Sequence, residues 1–99
     1  MAKLLRTGEV AGKSANLVYE ASIKAFEGSG FEVWKKRPLA WLSLARQNVE
    51  GIEISANLAA RPTIPVSYSL TMVAEGFSEE KLNPIAEHFL KLLQDALSQ

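Results

Sequence analysis

The sequence predicts a two-layer α+β fold: a four- to five-stranded antiparallel sheet with two helices on one face, in the order (β)-α-β-β-β-β-α. Three observations predict it. Residues 31–73 read as four strands in succession, each with period-two patterning and separated by short turn-forming segments. Residues 15–27 and 78–97 instead place apolar side chains three and four apart, the period of a helix. Two helices cannot bury their stripes on each other and also keep the sheet's apolar face dry, so they most economically share that face.

The first element, residues 3–10, is a candidate short strand framed by Gly8 and Gly12. Ser14 then has the character of an N-cap, since its hydroxyl can accept from a free backbone N–H of the first helical turn. Leu17, Val18, Ala21 and Ala25, with Tyr19, Ile23 and Phe26 beside them, form a broad apolar face. Gly28-Ser29-Gly30 closes this helix, because glycine accepts the left-handed conformation that ends one.

Four strands follow, at residues 31–35, 40–46, 51–59 and 65–73. Consecutive hairpins admit a consistent register. Phe31 pairs with Leu44, Val33 with Leu42, Leu42 with Ile54, Leu44 with Ile52, Ile54 with Leu70, Ile52 with Met72 and Ala56 with Tyr68. All of these fall on one face, as the two-residue period requires. Trp34 and Trp41 then oppose each other on the other face, beside Ser43, Ala45, Glu53, Ser55, Asn57, Ser67, Ser69 and Thr71.

Ser78-Glu79-Glu80 opens the last helix, with acids in its first turn. Asn83-Pro84 reads as a second start, giving a short opening turn before the main helix. Its stripe is Leu82, Ile85, Ala86, Phe89, Leu92, Leu93, Ala96 and Leu97. This element order resembles that of the TATA-box-binding-protein-like folds and the related helix-grip folds. The resemblance spans the whole chain, includes no motif, and implies architecture alone.

Ninety-nine residues, 47% hydrophobic and 22% charged, fit one folded domain, residues 1–99. The absence of cysteine excludes disulfides and thiolate chemistry. Eleven basic and eleven acidic residues give zero net charge, which argues against non-specific binding to nucleic acid or anionic membranes. No signal-peptide pattern or membrane-length apolar run stands out, so a soluble cytoplasmic protein is expected.

Chemical signatures are sparse. His88 is the one histidine, and Pro84 and Leu92 occupy the positions where a second helical metal ligand would sit. Asp95 is the one aspartate, and Glu32, Glu53 and Glu75 adjoin no nucleophile. No serine lies in a nucleophile-elbow motif, and no glycine-rich loop leads from a strand into a helix. Lys35-Lys36-Arg37 and Arg61 read as solubility and edge protection. The expectation is a non-enzymatic protein with no catalytic, cofactor or metal residue.

The leading functional expectation is a protein-interaction domain that self-associates, or docks a protein partner, through the open sheet face. Its contact residues would be Trp34, Trp41, Ser43, Ser55, Asn57, Ser67 and Ser69, since tryptophan and charge depletion mark interface cores. The alternative is a small hydrophobic-ligand binder, with a pocket lined by Tyr68, Met72, Phe89 and Leu93 between sheet and last helix. A third reading stacks single-stranded nucleic acid on the two tryptophans. Because both helical stripes are needed to fill so small a core, no enclosed cavity of ligand size, about 300 Å³, is expected.

Overall fold

The strand periodicity and the two amphipathic stretches are realised as follows in the computed structural model, which describes residues 2–98. Strand β1 (Ala2–Val10) leads to helix α1 (Ala15–Gly28), then β2 (Glu32–Arg37) and a 3-10 turn (Pro38–Ala40). Strands β3 (Leu42–Val49), β4 (Ile52–Arg61) and β5 (Val66–Ala74) follow, and helix α2 (Glu79–Leu97) completes the fold. The five strands make one antiparallel sheet in the order β1-β5-β4-β3-β2. Helix α1 lies against β2, β3 and β4, α2 lies against β1 and β5, and the helices pack on each other.

Local chemistry sets the helix starts. Ser14 Oγ accepts from the Leu17 amide at 3.2 Å, and Ser78 Oγ accepts from the Lys81 amide at 3.3 Å. The last helix differs from expectation: it runs unbroken through Pro84. Proline removes one hydrogen bond to the carbonyl of exposed Glu80, close to the helix start, so the helix continues. Asn83 is no cap; its side-chain oxygen accepts from Arg6 Nη2 at 2.7 Å, tying α2 to β1.

The expected strand registers are corrected, and turn length is the reason. Glu50 and Gly51 both adopt positive φ, 55° and 81°, and close β3 on β4 in a two-residue turn. That carries β3 on to Val49 and sets Leu42 opposite Ala59, not Ile54. The offset changes by an odd number, so every β3 side chain changes face relative to β4. Leu42 and Leu44 thus share the open face with Asn57 and Ala59, while Ser43 and Ala45 turn toward the helices and are buried. In the first hairpin Val33 pairs with Ala45 and Lys35 with Leu44, with Trp34 as the extra residue of a β-bulge. Between β4 and β5 the offset changes by an even number, pairing Ile54 with Ala74, Ala56 with Met72, Leu58 with Leu70 and Ala60 with Tyr68. The expected inward face of those two strands is retained.

The core lies between the layers. Ile54, Leu58, Leu70 and Met72 from the sheet meet Val18, Phe26, Leu82, Phe89 and Leu93 from the helices, all at most 2% exposed. The Phe26 ring lies 4.2 Å from Phe89 and 5.4 Å from Phe31, centroid to centroid. One polar pair sits within this core. Ser22 Oγ donates to the Tyr19 carbonyl at 2.6 Å, so its single proton is committed and Ser43 Oγ donates to it across 2.9 Å.

Candidate functional site

The two inward rows nearest the end of β1 are built from small residues. Gly8, Tyr68 and Ala60 form one row, and Val10 and Val66 the next. Gly8 leaves room for the Tyr68 ring. A Cβ at Gly8 would stand 2.5 Å from Tyr68 Oη and 2.6 Å from Cζ. Over these rows passes the last part of α2, carrying Leu90, Leu93 and Leu97. The result is a cleft of about 510 Å³, open to solvent, whose apolar walls are Val10, Tyr68, Leu90, Leu93 and Leu97. Glu9, Lys13, Gln94 and Ser98 supply polar groups to its lining.

Tyr68 is the chemically distinctive wall. Burial raises its phenol above the ordinary 10.0, because the charged phenolate is poorly solvated there. At neutral pH it is an O–H donor and not a base. Its hydroxyl enters none of the side-chain hydrogen bonds among the described residues. It is also not sealed from solvent. The cleft therefore offers a mixed lining: an apolar wall of valine and leucines, the Tyr68 donor, and the polar groups of Glu9, Lys13, Gln94 and Ser98.

This cleft only partly matches the pocket expected from sequence. Tyr68 and Leu93 line it. Met72 and Phe89 do not, being fully buried in the core beneath. The expectation concerned an enclosed cavity; the space found at this end is an open cleft at the edge of the core, which that expectation did not anticipate. Sequence reading overlooked Val10, Leu90 and Leu97, although Gly8 was a signal for the site. Glycine inside a strand marks a place where another group approaches closely.

The open face also differs from expectation. Trp34 is there, 50% exposed, with the Arg46 guanidinium 5.9 Å from its ring centroid. Arg46 in turn bonds Glu32 Oε1 at 2.9 Å. Trp41 does not oppose it. Trp41 closes the 3-10 turn in the left-handed conformation, φ 50°, and its carbonyl accepts from the Ala60 amide at 3.0 Å. Its side chain packs, half-buried, against the core. Ser43 is buried beneath α1, whereas Ser55, Asn57, Ser67 and Ser69 share the open face. Leu42 and Leu44 stand between Trp34 and that polar field.

His88 borders a separate shallow depression with Ser29, Gln47, Val49, Pro84 and Ile85, away from the cleft. No group of three His, Cys, Asp or Glu side chains among the described residues is placed to hold a metal ion. No helix among them is long and apolar enough to cross a membrane.

No protein-family model matches the sequence, and no curated protein matches it. Solved structures do. The ZhuI aromatase/cyclase from Streptomyces sp. R1128 superposes with a TM-score of 0.54 at 13% identity, covering 95% of this chain and 92% of that one. Ara h 8.0201 covers 98% of both chains at 8% identity, with a TM-score of 0.47. The chain has a helix-grip fold.

Proposed function

We propose that this protein binds a small, largely apolar molecule in the cleft between the end of β1, Tyr68 and the last turns of α2. The carrying observation is the cleft itself: about 510 Å³ walled by Val10, Tyr68, Leu90, Leu93 and Leu97. Pockets for small ligands are concave and combine apolar walls with placed polar groups, and this cleft has both, with somewhat more polar than apolar surface in its lining. The ligand would lie against the leucines and accept a hydrogen bond from Tyr68. Likeness of fold to an aromatase/cyclase adds support for a small-molecule site over a macromolecular one. We read the role as binding without catalysis. The lone histidine lies elsewhere, and the raised phenol is a poor base.

The test is native-state binding of an anilinonaphthalene sulfonate dye. Fluorescence should rise on mixing and saturate. Leu97→Gln, at a half-buried position on the cleft wall, should weaken the response strongly while lowering the urea midpoint only modestly. A native protein that leaves the dye dark would sink the proposal.

A second reading keeps self-association through the open face, now centred on Trp34, Leu42 and Leu44. It is favoured by the exposed Trp34 beside two apolar neighbours that the true register turns outward. Equilibrium sedimentation of wild type against Trp34→Ala decides it: the wild type should be the heavier species.

A further inference from the structure

Zero net charge hides a separation of charge along the molecule. The pairs Val10–Val66, Arg61–Ser67, Leu42–Ala59 and Arg37–Leu42 bring three connections to one end of the sheet: residues 11–14, 38–41 and 62–65. None of the three contains an acid. Around them stand Lys13, Lys35, Lys36, Arg37 and Arg61. The two ion pairs among the described residues, Arg46–Glu32 and Lys81–Glu50, use none of these cations. Glu9 is one acid at this end, in the same row as Ser67 and Arg61, while Glu20 and Asp95 lie on the two helices. The opposite end holds Glu50, Glu75, Glu79 and Glu80 against Lys3 and Lys81, the latter paired to Glu50.

The same basic end presents two large apolar side chains to water. Leu39 is 96% exposed and Ile64 is 101% exposed, the most exposed large hydrophobic residues among the described residues. Each sits at a loop tip beside a proline, Pro38 or Pro65, whose ring restricts the backbone and lowers the entropy lost on immobilising the tip. Neither contributes to the core.

We propose that this end docks on the surface of an anionic lipid bilayer, Leu39 and Ile64 entering the interface while the surrounding cations meet the headgroups. A bilayer accounts for both features together: apolar tips add buried area, and basic residues behind them add attraction to negative lipid. A polyanion such as nucleic acid would use the cations and leave the two tips in water. The cleft opens beside this end, since Ala11 and Lys13 also line it, but docking does not depend on the cleft being occupied.

Flotation with lipid vesicles tests this. The full chain should float with vesicles of phosphatidylcholine and phosphatidylglycerol, poorly with phosphatidylcholine alone, and less as salt rises. Leu39→Ser with Ile64→Ser should weaken binding roughly tenfold or more, by loss of inserted apolar area. Arg37→Glu with Arg61→Glu should remove the preference for anionic lipid. All four positions are exposed, so circular dichroism should show an unchanged fold. No flotation with anionic vesicles, equal flotation with neutral ones, or a serine variant that binds like wild type would each overturn the proposal. Dye binding to the cleft is measured separately, so failure of one reading leaves the other intact.

Discussion

Replacing Gly8 with alanine tests the cleft at its hinge point. The added Cβ would lie 2.5 Å from Tyr68 Oη, 2.6 Å from Cζ and 2.8 Å from Cε2. Ordinary non-bonded contacts begin near 3.5 Å, so something must retreat by about 1 Å. The strand is pinned by nine residue pairs with β5, whereas the tyrosine ring adjoins open cleft. The ring should therefore move, toward Leu93 and Leu97, and narrow the cleft. Two energies oppose each other. Alanine recovers roughly 0.5–1 kcal/mol of backbone entropy relative to glycine, while overpacking typically costs about 1–3 kcal/mol. Net destabilisation should be small, about 0–2 kcal/mol, while dye affinity falls clearly. Tyr68→Ala removes the clashing atoms, so Gly8→Ala in that background should be neutral or stabilising. Urea unfolding of the four proteins closes a double-mutant cycle, with an expected coupling of about 0.5–3 kcal/mol. Strict additivity, or a Gly8→Ala protein that binds dye like wild type, would refute the geometry.

Three further outcomes follow from the packing. Phe89→Ala, at a fully buried ring stacked on Phe26, should cost about 3–5 kcal/mol in urea unfolding, and an unmoved midpoint would contradict the two-layer core. Ser22→Ala leaves the Ser43 hydroxyl without its acceptor and should cost about 1–3 kcal/mol, and the Ser22→Ala, Ser43→Ala double variant should recover part of that loss. In Tyr19→Phe, Tyr68 is the remaining tyrosine, and ultraviolet absorbance titration should place its ionisation above 10.0 in the native state and near 10.0 in denaturant. Because the folded value is the higher one, the native state holds the proton longer; stability is unaffected below pH 10 and falls as pH rises toward the folded value.

The element order was legible because it rests on periodicity, and periodicity survives errors of a residue or two. The register was not, because it depends on turn length. Glu50-Gly51 closes a two-residue hairpin, where the sequence reading allowed a longer loop after Arg46. That difference turned Ser43 inward and Leu42 and Leu44 outward relative to β4, while the bulge at Trp34 and the 3-10 turn at Pro38–Ala40 moved Trp41 away from Trp34. Ile54 and Leu70 were legible as core because an even change of offset keeps a strand's faces, and Phe89 and Leu93 because they lie on the helical stripe. The cleft was half legible: Tyr68 and Leu93 follow from the stripe and the strand, while Val10 and Leu97 require knowing that β1 pairs with β5. The charge separation was illegible, since total charge says nothing about which loops meet at which end.

The place of the cleft follows from how side-chain volume is distributed along the sheet. In the middle rows Leu4, Met72, Leu70 and Leu58 rise from the strands, and Phe26 and Phe89 descend from the helices to meet them. Toward the end of β1 the strands supply Gly8, Ala60, Val10 and Val66, and only Tyr68 is large. Helix α2 nevertheless continues its stripe over these rows with Leu93, Ala96 and Leu97. A helix that keeps its apolar period above a sheet that has lost its volume must leave space beneath, because interiors otherwise pack without voids. A larger residue at Val10 would fill part of that space and add burial. The space leaves stability unrealised where Tyr68, Glu9 and Lys13 line the cleft, the compromise expected of the proposed binding site.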